Sequence, residues 1–289
     1  MKLEATALAE SSLEAQKFSI RQIYEDLLRG DMKDRAPLFI AILSVAFQQQ
    51  SFWRSPENAE TFFQGYYLVL FGLVVFSAVF SIFASTSRLA IALFIAIAVI
   101  DFAPRWTSLA NHTFLALWTI PFAVLFKEWW RSELYSRYLR ITIGIVMFAA
   151  VAQKLIAGTY IDGSYIYWMS KTGSLTERMF SLACDTTAAL PCIFIKFVSN
   201  FILLWQFTVG VLLIWGVRSK VFLTIEIGFL LGAGLFADEM NFQVLNIALL
   251  CLVFRVGMPM WLLVTCITLL FVDVYSIEYL LKTLVQHVA

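Results

Sequence analysis

The chain has 289 residues, 61% of them hydrophobic and only 14% charged, with a mean hydropathy of +0.80. Water-soluble domains carry roughly 25% charged residues, so this composition excludes an ordinary soluble fold and makes lipid the natural solvent for the surface. A net charge of +1 excludes the strongly basic field that nucleic-acid binding needs. Two histidines and four cysteines, none in a CxxC pair, argue against the usual zinc and haem ligand sets.

The first 16 residues are polar and acidic, without the apolar stretch of a cleavable signal peptide, so the first span is expected to serve as the insertion signal. Ser11 and Glu14 have the spacing of a capping box. Leu13, Ile20, Ile23, Tyr24, Leu27 and Leu28 supply a partial helical stripe, and Gly30 is a stop. Residues 1–35 are therefore expected to form a cytoplasmic amphipathic leader helix, lying on the membrane surface or docking a partner protein.

From residue 36 the charges thin out. Uncharged runs cover 36–53, 61–87, 89–100, 106–126, 141–153, 197–217, 227–237, 241–254 and 256–272. A helix needs about 20 residues to cross the hydrocarbon core. Several runs reach that length only by admitting Lys154, Lys196 or Glu226. The expectation is an all-α, polytopic transmembrane bundle over 36–289, with about nine spans (eight to ten). Gly228-x-x-x-Gly232 in the seventh offers a surface for close helix approach.

Placing the amino terminus in the cytoplasm puts fourteen of the 21 Lys and Arg residues on the inner side and five on the outer. The positive-inside rule favours that orientation, in a cell inner (plasma) membrane. The longest outer connection, 157–191, is too long to be a plain linker and suggests a functional or lid-like loop. Cys184 and Cys192 lie on this outer side, where disulfides persist, but spacing alone leaves paired and free states open. Cys251 and Cys266 fall within spans and suit apolar packing.

In this orientation Asp101, His112, Lys154, Lys196 and Asp273 approach the outer leaflet, and Glu226 lies nearer the middle or inner half. Asp101, Lys196 and Asp273 suit side chains reaching for headgroups. Lys154 is different: uncharged residues flank it on both sides, and Ala149, Ala150, Ala152 and Gly158 leave room beside it. A lysine withdrawn from water is the kind used as a general base or nucleophile. His112 follows Asn111 at a helix start, where Asn111 suits an N-cap and His112 either an interfacial position or a proton-transfer role.

AsnHisThrPheLeuAlaLeuTrp (111–118) resembles the Asn-His-x-x-Leu segment of the HTTM family, the membrane domain shared with vitamin K-dependent γ-carboxylase. Residues 140–155, ending in GlnLysLeu, resemble that family's next helix. Residues 199–220 and 242–254 are similar to its later ones. The likeness covers about 101–254 and implies a short, bacterial-type member. Carried over by position, Lys154 matches the lysine that deprotonates reduced vitamin K, and Asn111 and His112 match a polar pair near the same pocket. The resemblance thus implies catalytic roles for Lys154, His112 and Asn111, a quinol-like or lipid ligand, and a peptide substrate to be matured.

The chain departs from the family pattern in three places. Ala150-Val151-Ala152-Gln153-Lys154 lacks the motif's glycine, the later helix has Glu226 where a histidine is frequent, and these residues hold no large β-rich domain. γ-Carboxylation itself is accordingly not the expected reaction. A non-catalytic membrane scaffold or subunit of an export or maturation complex is the main alternative. A midplane transporter would show two inverted halves, which this sequence does not display.

Overall fold

The computed structural model describes residues 32–53, 63–104, 106–109, 111–126, 128–169, 171, 180–185, 190–237 and 239–275. The leader helix expected over 1–35 falls outside them, apart from its last four residues. Among the described residues the chain is all-helical, with ten α-helices and no strand. They are α1 (Met32–Trp53), α2 (Phe63–Ser81), α3 (Ser87–Ile97), α4 (Asn111–Thr119), α5 (Glu133–Ala157), α6 (Ser164–Met169), α7 (Ile193–Trp215), α8 (Lys220–Ala237), α9 (Met240–Phe254) and α10 (Met260–Tyr275). Two of them, α5 and α7, are long and apolar enough to cross a membrane, and only 28% of each apolar window is buried inside the protein. The core helix of a soluble domain would be mostly buried, so that low share separates these helices from such a core.

Each long helix starts and stops for a local reason. The Ser132 side chain accepts the Tyr135 N–H at 3.2 Å, which caps α5, and Glu133 in the first turn suits the helix dipole. Gly158, at φ +73°, ends α5 in the left-handed region that glycine enters without penalty. Cys192 caps α7 through its sulfur and Gly216, at φ +88°, terminates it. A side chain at 216 would also collide with the Arg140 guanidinium.

Helix α9 forms the axis of the bundle. Residues 243–253 are all buried, and α1, α8, α5 and α10 pack around it. One end of the bundle gathers charged chain ends. Arg218 grips the Glu133 carboxylate through two N–H groups, Arg255 donates to the same carboxylate at 2.9 Å, and Ser136 donates to the Val253 carbonyl at 2.7 Å. The Met258 N–H, just before α10, donates to the Lys33 carbonyl at the start of α1. The starts of α1, α5 and α10 and the connection after α7 therefore meet at this Glu133 end. At the opposite end, the last turns of α1 meet the first turn of α4. There Gln49 donates to the Thr113 hydroxyl at 3.0 Å, and that hydroxyl donates to Gln48 at 2.7 Å.

Helices α5 and α7 make the most extensive contact, and glycines set its closeness. A Cβ on Gly144 would lie 2.7 Å from Ile214 and 3.2 Å from the Gly210 carbonyl oxygen; one on Gly210 would lie 3.3 Å from the Gly144 oxygen. The close approach expected at Gly228-x-x-x-Gly232 is not there. Neither glycine has any atom within 4 Å of the place a Cβ would occupy, because that face of α8 points away from its neighbours. The correction has a simple cause: the four-residue spacing marks a flat helix face but does not specify which partner meets it.

The α4 segment breaks early. Pro121 lacks an N–H and so cannot pair with the Leu117 carbonyl, and the chain continues as a 310 turn over Pro121–Leu125. Two tyrosines of α5 supply donors nearby: Tyr138 O–H donates to the Trp118 carbonyl and Tyr135 O–H to the Thr119 carbonyl at 3.1 Å. In an apolar medium, where no water can substitute, each freed carbonyl left without such a donor would cost several kcal/mol.

Candidate functional site

Lys154 lies one turn before the end of α5. A helical side chain tilts back toward the amino terminus, so this one leans into the bundle rather than out of its nearer end. Gln206 on α7 leans the opposite way, and the two meet: Lys154 Nζ donates to Gln206 Oε1 at 2.7 Å. The ammonium also lies 4.6 Å from the centre of the Tyr160 ring, and Tyr165 stacks on that ring at 4.8 Å. Glu239, between α8 and α9, is close enough to interact electrostatically with Lys154. The Glu239 carboxyl opens to the surface, yet surrounding protein pushes its pKa upward while Lys154 pulls it down. The amine is half-buried, with one neutral acceptor, one aromatic face and one nearby carboxyl.

The loop beyond Gly158 holds the aromatic wall in place. Ser199 donates to the Tyr160 carbonyl at 2.6 Å and Asn200 to the Ile161 carbonyl at 3.1 Å, both from α7. Asp162 accepts the Ser164 N–H at 2.8 Å, which starts α6 and lowers the Asp162 pKa. Gly163, at φ +79°, rests against the Lys196 backbone, where an added Cβ would come within 3.1 Å. Ile166, Tyr167, Phe180 and Ile195 form a small core of their own, separate from the main one. The disulfide Cys184–Cys192 closes that unit, with Cα atoms 6.0 Å apart.

Burial pushes the Tyr160 and Tyr165 hydroxyls above the usual phenol range, so both rings stay neutral beside the amine.

The other sequence-nominated residues scatter. Asn111 and His112 are the first two residues of α4, so Asn111 is inside the helix rather than its cap; their side chains lie outside the described structure. Lys196 is exposed in the first turn of α7. Asp273 belongs to α10, with its side chain outside the described set. Asp101 does not reach for headgroups as expected: it is 5% exposed, within a π-helical stretch over Ala98–Phe102, and it is partnered. Glu226 is buried, and its carboxylate accepts the Trp205 indole N–H at 2.7 Å.

Sequence reasoning missed Trp205, Gln206, Tyr160, Tyr165 and Glu239. Gln206 was the most discoverable, an amide in the middle of the uncharged, largely apolar run 197–217. Among the described residues no cluster of His, Cys, Asp and Glu could hold a metal ion. Comparison with protein families, curated proteins and solved structures returns no match.

Proposed function

We propose that this chain is a polytopic membrane protein of nine spans, amino terminus inside, that carries out base-assisted modification or maturation at its extracytoplasmic end. Lys154 is the base. The observation that carries this reading is the contact between Lys154 and Gln206. A mobile surface lysine would not be held at 2.7 Å by a glutamine from inside a second apolar helix, with an aromatic face on another side. Gln206 orients the amine, Tyr160 limits water beside it, and Glu239 offers a place for the proton it takes up. The apolar helices around it suit a quinol-like or lipid substrate, or a peptide presented from the membrane surface. The HTTM likeness over about 101–254 points the same way, with His112 and Asn111 as candidate partners at the start of α4.

The nine-span arrangement draws on the meeting of helix ends described above and on the helix bounds, which follow the uncharged runs nearly one for one. The basic Glu133 end faces the cytoplasm and the Tyr160 end faces out, as the Lys and Arg distribution favours.

The test is substitution at Lys154 with membrane abundance measured alongside. Lys154→Met keeps the apolar stem and removes the amine; loss of activity at normal abundance is expected, and normal activity would overturn the base role. Lys154→Arg keeps the charge but cannot deprotonate near neutral pH, so it should also be inactive.

A second reading, a non-catalytic scaffold in an export or maturation complex, is favoured by the disulfide-closed loop unit with its own small core. It expects function to survive Lys154→Met and to be lost when that loop is disrupted.

A further inference from the structure

The two sulfurs of the Cys184–Cys192 disulfide stand in opposite electrostatic surroundings. Cys192 is the N-cap of α7, and its Sγ accepts the Ile195 N–H at 3.5 Å. The first turn of a helix carries N–H groups without helical partners and a partial positive charge, so a thiolate at that position is stabilised. Cys184 instead closes a helical turn: its N–H donates to the Phe180 carbonyl at 2.8 Å, and Asp185 follows it. That sulfur has no helix start to hold negative charge. Lys196, one turn into α7, acts on the Asp162 carboxylate, so the helix terminus itself sets the difference between the two sulfurs.

The bond is also reachable. Both cysteines pack on the rim of the small core built on Phe180 and Ile195 and are only partly buried, whereas the free thiols of Cys251 and Cys266 are enclosed. Leu182, Leu190, Ile193 and Phe194 are exposed, each within two residues of one cysteine or the other. Bracing the loop requires neither a sulfur that caps a long helix nor an open, apolar approach to it.

We propose that Cys184–Cys192 is a thiol–disulfide exchange site, which passes its disulfide to a peptide bearing two cysteines with apolar neighbours. The first peptide thiolate attacks the Cys184 sulfur. A peptide–Cys184 disulfide forms, the Cys184–Cys192 bond breaks, and its electron pair stays on Cys192, the sulfur that already accepts the Ile195 N–H. The sulfur whose thiolate is better stabilised is the better leaving group, which fixes this direction of attack. The second peptide thiolate then attacks the peptide sulfur of the mixed disulfide and releases Cys184. The peptide dithiol is oxidised to a disulfide, the protein disulfide is reduced to two thiols that take up the two protons, and no other oxidant enters. This chemistry is independent of Lys154 as a base.

The test uses the full-length protein in detergent and a synthetic peptide with two leucine-flanked cysteines. The peptide is expected to become oxidised as the protein disulfide is reduced, one for one, and faster than glutathione reacts at the same thiol concentration. With one peptide cysteine replaced by serine and an early acid quench, mass spectrometry should find the adduct on Cys184 about fivefold more than on Cys192. In single variants, iodoacetamide should modify Cys192 of Cys184→Ser about one pH unit lower than Cys184 of Cys192→Ser, a tenfold difference in thiolate near neutral pH. A disulfide that yields only to dithiothreitol would overturn the proposal, as would adducts shared equally by the two sulfurs. Glutathione reacting as fast as the peptide would overturn the peptide as its partner. The adduct measurement needs only the parent protein, so it decides the matter even where a serine variant fails to fold.

Discussion

At the scale of single residues, partners define the candidate site better than position does. Lys154 and Glu226 are both ionisable groups in apolar helices, but they are treated differently. Lys154 meets an amide, a ring and a distant carboxyl, whereas Glu226 meets one indole. Gln206→Leu should therefore reduce activity without removing the protein from the membrane, because it releases the amine while preserving apolar volume. A normal turnover rate for that variant would show that Lys154 needs no orientation. Asp162 gives a prediction in pH. Its pKa is lowered from the ordinary value of 3.8, chiefly by the Ser164 N–H. A depressed carboxyl contributes stability that is present above its unfolded value and lost as the pH falls through the folded one. Acidification below about pH 4 should loosen the 158–165 loop, and Asp162→Asn should remove that acid step, as followed by proteolysis of the loop.

At the scale of elements, helix contact is decided by which face finds a partner. Gly144→Leu should destabilise the bundle by about 2 kcal/mol, a typical overpacking cost, since the added atoms meet Ile214 and the Gly210 carbonyl. Gly228→Ala, on an open face, should be neutral or stabilising by up to about 1 kcal/mol. Thermal unfolding of the two variants in one detergent separates them, and equal losses would contradict the packing described. The helices themselves were legible. The uncharged run 36–53 became Met32–Trp53, 241–254 became Met240–Phe254, and 197–217 with Lys196 admitted became Ile193–Trp215. Absence of charge is a local property, so one sequence displays it. The Gly144–Gly210 contact and the pairing of Gln206 with Lys154 were not legible, because each joins residues more than 50 positions apart and nothing local says which partner a residue will meet. Asp101 misled for a related reason: its place near a helix end suggested exposure, while the π-helical turn around it turns the side chain inward.

At the scale of the whole molecule, the two ends are held by different chemistry. The Glu133 end is tied by ion pairs between side chains roughly a third to three-fifths exposed, so solvent screening limits their worth to about 1 kcal/mol at most. The opposite end is tied by a covalent link. Reducing Cys184–Cys192 should loosen the loop unit by about 2–3 kcal/mol, the loop-closure entropy of an eight-residue separation, while leaving α1 and α9 protected from hydrogen exchange. Loss of protection throughout the bundle would mean that the loop is not a separate unit.

Trp205 and Gln206 have a mechanical consequence. They are consecutive on α7, so their side chains leave the helix about 100° apart. One holds a carboxylate from α8 and the other an amine from α5. Turning α7 about its own axis in either direction must pull on one of these links, so the helix is keyed against rotation. A ligand that displaced Lys154 from Gln206 would release one key and leave the Glu226 link, with the Ser199 and Asn200 bonds to the 158–165 loop, to hold α7 in register.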